Sequence, residues 1–292
     1  MSVDNWDEIR TAYEVARLGT VSAAAEVLGV HHATVIRHID ALEGRMGIKL
    51  FQRHARGYTA TEAGEDLKNI AATTSDQFSQ LEGRLKGRGS AVTGDLVVTT
   101  VSGLSTLLTP VLTAFKLEHP ELTIRFLTDQ RLFRLDYGEA HVAIRAGQRP
   151  EDPDNVVQPF IALRARLCAA QNYIDKFGMP KDVSDLANHH IVAGDSANAR
   201  GPFNKWLHEN VPVEAITYRA SEQVATEAAV AAGAGIGFVA DTNIANFSGL
   251  VEVLEWQKEW CAPLWLVTHV DLHRTTKVQS FLKFLKEESN KW

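Results

Sequence analysis

Apolar residues recur at helical spacing through the first 86 positions, and then the rhythm changes. Residues 4–18 carry an apolar stripe of Ile9, Tyr13, Val15, Ala16 and Leu18 behind a capping Asp4 or Asn5, which predicts a first helix. Thr20, an N-cap residue, opens a short helix with Ala24, Ala25 and Leu28, and Gly29-Val30 breaks it before another begins. In that next helix Val35, Ile39 and Leu42 recur at i, i+4 and i+7. They take one face, so His32, Ala33, Thr34, Ile36, Arg37 and His38 fall largely on the others. The pattern predicts a helix-turn-helix with a face available for reading. Gly44, Gly47 and Leu50-Phe51 follow, then Arg53, His54, Arg56 and Tyr58, which read as a small wing with cationic groups at its tip. Residues 61–86 keep Ala63, Leu67, Ile70 or Ala71, Thr74, Phe78, Leu81 and Leu85 at spacings of three and four on a long polar helix. So narrow a stripe suits pairing with a second helix; packing on its own domain is the alternative.

Gly87-Arg88-Gly89-Ser90 predicts a flexible hinge. Beyond it strands are expected at 96–101, 122–127, 141–144, 166–170, 191–193, 215–218, 235–240 and 264–270. Helices are expected at 104–118, with Pro110 inside, and at 171–177, 203–209, 222–232 and 277–288. Strand alternating with helix predicts parallel sheet, in two α/β subdomains joined by crossings near residues 161 and 266, with a hinged cleft between. The glycine-rich stretch 233–237 follows a helix and precedes a strand, the reverse of a dinucleotide fingerprint, and reads as a helix stop.

Composition narrows the class. A length of 292 residues, 45% hydrophobic and 23% charged, is that of an ordinary soluble protein of about two domains. No apolar run approaches the roughly 18 residues of a membrane span, and MSVDNWDEIR is acidic rather than a basic leader. The expectation is a cytoplasmic protein with no membrane partner. Two cysteines, Cys168 and Cys261, make neither a disulfide framework nor a zinc site. A net charge of -6 argues against a general basic coat, yet between His31 and Tyr58 five cations (Arg37, Arg45, Lys49, Arg53, Arg56) face two acids, Asp40 and Glu43. That is a local cationic footprint.

Residues 19–64 resemble the N-terminal signature of the LysR-type transcriptional regulators. The match is carried by Gly19-Thr20-Val21-Ser22 with Ala24-Ala25 and Leu28, by Val35, Arg37, Ile39 and Leu42-Glu43, by Met46-Gly47, Leu50-Phe51 and Arg53, and by Thr59-Ala60-Thr61 with Gly64. It departs where the family has Ser-Gln and this chain has His31-His32, where Ile36 replaces a serine, and where Ala60 replaces a leucine. The first two lie on the reading helix and bear on which bases are read rather than on how the helix docks. C-terminal markers of the family are His119-Pro120, Gly138-Glu139 before Val142-Ala143-Ile144, and residues 232–237; Ala140-His141 and Ala240 depart from its usual Leu-Asp and Pro.

The resemblance implies a fold and a division of labour. An N-terminal all-α winged helix-turn-helix (1–58) would be followed by a linker and dimerisation helix with hinge (59–89). A periplasmic-binding-protein-like α/β effector domain (90–292) would comprise subdomains of about 90–161 with 267–292 and about 162–266. Operator DNA, a small-molecule effector and a second copy of the chain are the implied partners, with a tetramer through effector domains as the family precedent. The candidate DNA contacts are Ser22, His31, His32, Ala33, Thr34, Arg37 and His38, with Arg53 and Arg56 on the wing. Arg37 could instead pair with Asp40 or Glu43. The candidate effector contacts lie where strands end: Ser102, Gly103 and Ser105 at a helix N-terminus, Thr128 and Asp129, and Arg145, the anchor for an anionic effector unless it forms a surface salt bridge. No nucleophile elbow, P-loop, metal set or cofactor fingerprint stands in the chain, so no enzyme, metal or cofactor is expected. The α/β half alone would also fit an enzyme or a transport-type solute binder.

Overall fold

A computed structural model describes residues 5–54, 57–85, 92–129, 131–195 and 202–292. The chain divides into two compact units, residues 1–91 with 134–139, and 92–133 with 140–292.

The first unit runs α1 (Trp6–Leu18), α2 (Val21–Leu28), α3 (His32–Met46), β1 (Phe51–His54), β2 (Gly57–Ala60) and α4 (Glu62–Leu85). Helices α1 and α2 begin where a side chain can take an orphan amide: Asn5 accepts from the Asp7 N–H and Thr20 from the Ala23 N–H. At Gly29 φ is 65°, a left-handed turn that an L side chain would strain, and the chain reverses there between α2 and α3. Val35, Ile39 and Leu42 are buried as their spacing predicts, and join Ala12, Val15, Ala24, Leu50 and Phe51 in one core. Burying each large aliphatic contributes about 1.5–3 kcal/mol. The inward face of α1 differs from the predicted stripe. Glu8, Thr11, Ala12 and Val15 are buried, with Ile9, Ala16 and Leu18 at the margin. Polar residues can sit inside here because Glu8 bonds to Arg45 and Thr11 to His38.

A Cβ on Gly64 would lie 2.1 Å from the Leu50 carbonyl oxygen, so only glycine lets α4 close on the entry to the wing. The apolar stripe of α4 is split. Ala63 and Leu67 pack on the winged core and Ala71 is buried, while Ile70 and Phe78 stay 59% and 58% exposed. Phe78 meets Trp6 edge to face at 5.9 Å. The side chains of Leu81 and Leu85, the 87–90 hinge and Arg56 lie outside the described residues.

The second unit contains β3 (Gly94–Thr100), α5 (Ser105–Glu118), β4 (Leu122–Thr128), β5 (Val142–Ala146), β6 (Asn155–Ala170), α6 (Gln171–Phe177), β7 (Ile191–Gly194), α7 (Pro202–Asn210) and β8 (Ile216–Ala220). It continues with α8 (Gln223–Ala231), β9 (Gly237–Ala240), α9 (Asp241–Ile244), β10 (Leu250–Glu252), β11 (Cys261–His269), α10 (Val270–His273) and α11 (Thr276–Ser289). The sheet is mixed, not parallel as expected. β3 lies parallel to β4 and β5, but β11 is antiparallel to both β5 and β6, and β9 and β10 are antiparallel to β6. β6 is sixteen residues long, where only its end was expected to be strand. Pro159 hides it from the sequence pattern, because a proline cannot donate to the ladder; the register shift between Pro263 and Trp265 in the facing strand falls beside it. The first part of β6 pairs with β11 and the last with β9 and β10, so it serves two lobes: β3, β4 and β5 with α5 and α11, and β7, β8 and β9 with α7 and α8. No described helix is long and apolar enough to cross a membrane.

Candidate DNA interface and ligand cleft

The N-terminal half of α3 presents His31, His32, Ala33 and Arg37 to solvent, with Thr34 half-buried among them and Ser22 exposed on α2. Arg37 has no ion pair among the described residues. The guanidinium thus stands ready for a base edge or a phosphate. His38 does not belong to this face: its Nδ1 lies 2.9 Å from the Thr11 hydroxyl, which turns the ring back onto α1. Ile36 likewise packs at the margin of the core.

The wing corrects the simple charge count. Arg53 bonds to Asp40 and to Glu43 and lies over the Tyr58 ring, 5.3 Å from its centroid. Arg45 pairs with Glu8, and Lys49 with Glu43 at 2.6 Å. Three of the five counted cations are therefore committed within the unit: Arg45 to Glu8, outside the counted stretch, and Lys49 and Arg53 to the two acids counted within it. Arg53 is a brace of the wing before it is a phosphate contact. Glu43 anchors the arrangement. Its Oε1 accepts from the Leu50 and Phe51 amides at 2.9 and 3.2 Å while Oε2 accepts from Lys49 and Arg53. Burial alone would raise its pKa, but the bonds from Lys49 and the two amides outweigh it and hold the carboxyl below the usual range. The Arg45 bond, set against burial, does the same for Glu8.

In the second unit a cleft of about 430 Å³ opens between the lobes, inside the roughly 300–1,000 Å³ of small-molecule sites. Leu104, Ile144, Leu163, Phe203, Leu207 and Phe238 give it an apolar interior. Ser102, Gly103, Asp129 and Arg145 line it, as the strand-end argument expects. Arg145 donates from Nη2 to the Phe133 carbonyl at 3.2 Å. Thr128 and Ser105 are not in the lining. Thr128 ends the edge strand and faces solvent, and Ser105 donates its hydroxyl to the Ser102 carbonyl at 2.7 Å, a bond within its own turn. Nor is the loop at Ser102 vacant for an anion: the Ser102 hydroxyl donates across the cleft to Glu222. Glu222, Arg131, Asn204 and Thr226, all in the lining, were not legible. Arg131 stands two residues after Asp129, but Asn204, Glu222 and Thr226 come from elements far away in sequence that the crossing strands bring to the same cleft.

Behind the cleft wall Glu227, 1% exposed, accepts from the Ala240 amide at 3.1 Å and from Asn243 Nδ2 at 2.8 Å. Burial raises its pKa in spite of those donors. Burial pushes the Cys168 thiol up to about 12, so it is a small hydrophobe of β6 and not a reactive thiolate. Among the described residues no group of three His, Cys, Asp or Glu is placed to hold a metal ion.

A winged helix-turn-helix with one open arginine on its reading helix, carried on the same chain as a two-lobed α/β unit with an apolar cleft, defines a ligand-responsive DNA-binding regulator. Residues 6–65 match the model of the bacterial regulatory helix-turn-helix proteins of the lysR family, and residues 90–290 match the LysR substrate binding domain. The chain belongs to the LysR family of transcriptional regulators. It is 26% identical over 298 residues to a probable regulator, LtrA, of Klebsiella pneumoniae, covering 98% of this chain and 96% of that one. It is 29% identical to the uncharacterized regulator YhjC of Escherichia coli over 180 residues, 61% of this chain and 60% of that protein, so this likeness spans under two thirds of the relative. Among solved structures, CrgA of Neisseria meningitidis aligns with a TM-score of 0.58 at 21% identity over 97% of this chain and 98% of its own. Full-length CbnR in complex with its target DNA aligns at 0.59 and 17% identity, over 98% and 99%. These structural likenesses bear on the fold.

Proposed function

We propose that the protein binds operator DNA in the cytoplasm as a homo-oligomer, through α3, and that a small molecule carrying an anionic group modulates this binding from the cleft. It acts by binding and not by catalysis. The observation that supports the DNA role is Arg37, exposed on α3 beside His32 and Thr34 while its neighbouring cations are tied to acids of the same unit. Arg37→Ala should cost about 1–3 kcal/mol on the operator and relax preference at one base pair. Gel shifts on the upstream region of its own gene and on random DNA decide this; equal losses on both would reduce Arg37 to a phosphate contact.

Pairing of two copies through α4 is supported by Ile70, Phe78 and Trp6, large apolar side chains left exposed on this helix and on α1. A two-fold protein also suits a symmetric operator. Phe78→Glu should shift the sedimenting species toward monomer and weaken operator binding, and unchanged sedimentation would remove Phe78 from the interface. The effector would draw the lobes together about β6 and β11, shifting the assembly only by as much as it prefers the closed form.

A further inference from the structure

The wall that α7 and β9 give to the cleft is aromatic, and its rings are locked from behind. Phe203 and Phe238 belong to the lining, 5.5 Å apart at their centroids and inclined at 34°. Phe238 meets Trp206 at 5.7 Å and 82° and Trp260 at 5.2 Å and 75°, and the two indoles meet each other at 5.2 Å and 84°. All four residues are more than nine-tenths buried. Rings crossed so nearly at right angles hold one another in place, so what Phe238 shows to the cleft is a preformed surface.

The hydroxyls of the lining are occupied by the protein itself. Thr100 donates to the Ile144 carbonyl at 2.9 Å, Thr226 to the Gln223 carbonyl at 2.8 Å, and Ser102 to Glu222. A ligand rich in polar groups finds those three protons already given. Apolar contact therefore carries more of the recognition, and Leu104 and Ile144 supply buried aliphatic lining from the other lobe. An aromatic ring set against Phe203 and Phe238 gains ring-pair attraction beyond the area it buries, whereas a saturated ring of the same size gains the area alone. We propose that the effector carries an aromatic ring seated against Phe203 and Phe238, and that Phe238 selects it over a saturated ring. This rests on the cleft as the effector's site and not on which charge anchors the ligand.

The test is calorimetric titration of the full-length protein with benzoate, phenylacetate and 3-phenylpropionate, each beside its cyclohexyl analogue and its neutral amide. The expected result is that at least one aromatic acid binds about tenfold or more tighter than its cyclohexyl analogue, the sum of two ring pairs. Phe238→Leu keeps the wall apolar and removes one ring, and should cut that preference to about threefold or less while affinity for the cyclohexyl acid changes little. Phe203→Leu is the second variant should the first not fold. If the cyclohexyl acids bind the parent as well as the aromatic acids do, this inference fails and the anionic reading of the cleft stands. If the aromatic amides bind as well as the acids while the ring preference holds, the ring assignment stands and the anionic reading fails. A preference unchanged in both variants takes the ring away from Phe203 and Phe238. If none of the aromatic probes binds, the aromatic assignment is wrong.

Discussion

Glu43→Ala is expected to destabilise the winged unit by about 2–4 kcal/mol, because it strands two buried amides and releases two cations at one stroke. The carboxylate is 3% exposed and receives the Leu50 and Phe51 N–H groups where α3 gives way to β1. Leu50 and Phe51 are themselves buried, so their amides would be left without a protein acceptor. Lys49 and Arg53 would lose their shared partner, and the wing its brace against α3. Glu43→Gln keeps an acceptor for the amides and loses the charge, so its cost should fall between parent and alanine. The measurement is hydrogen exchange in urea over the segment 43–54, where the effect appears as faster opening confined to the first unit. A cost below about 0.5 kcal/mol, the range of ordinary surface changes, would show that the amides find other partners.

The same carboxylate sets a pH dependence with a definite sign. The folded pKa lies below the unfolded one, so the folded state binds its proton less readily. The stabilisation is complete above the ordinary carboxylate pKa and is lost as pH falls through the lowered folded value. Glu8, held down by Arg45, adds to it in the same direction. Stability of the winged unit should therefore decline toward acid, and Glu43→Gln should flatten that decline.

How far the sequence discloses this molecule depends on the distance over which each feature is determined. The helix-turn-helix was legible because its determinants are local: Thr20 and Gly29 bound α2, and Val35, Ile39 and Leu42 mark one face of α3. The roles of the cations were not. Arg45 and Arg53 count equally as positive charge in a window of sequence, yet Arg45 meets Glu8 37 positions away and Arg53 meets Asp40 13 positions away. Long-range pairing decides which cation is left for a ligand, and among the described cations of that stretch it leaves Arg37. The cleft shows the same limit. Rules for strand ends found Ser102, Asp129 and Arg145, but also picked Thr128, since the rule knows where a strand stops and not that β4 is the sheet edge. The opposing wall with Glu222 depends on β6 running sixteen residues through two lobes, a continuity that Pro159 concealed.

Arg145→Ala should leave folding and operator binding intact and abolish the response to effector, with effector affinity reduced by about 2–4 kcal/mol. The guanidinium stands near the end of β5, half-buried at a cleft whose apolar floor of Leu104, Ile144, Leu163 and Phe238 is buried, so an anionic group bonded to it would be partly withdrawn from water and the bond strengthened. A rival account is that Arg145 merely holds the 131–133 segment, since it also donates to the Phe133 carbonyl. Two further variants separate these. Arg145→Lys keeps the charge and loses the fork, and should restore part of the affinity if an anion is the partner. Arg131→Ala removes a guanidinium already answered by Asp129 and stacked on Phe133, and should cost markedly less than Arg145→Ala. Titration of effector against each full-length variant, with gel shifts in parallel, gives the order. Loss of affinity in Arg131→Ala equal to that in Arg145→Ala, with no recovery in Arg145→Lys, would assign Arg145 to the loop and remove the anchor from the cleft.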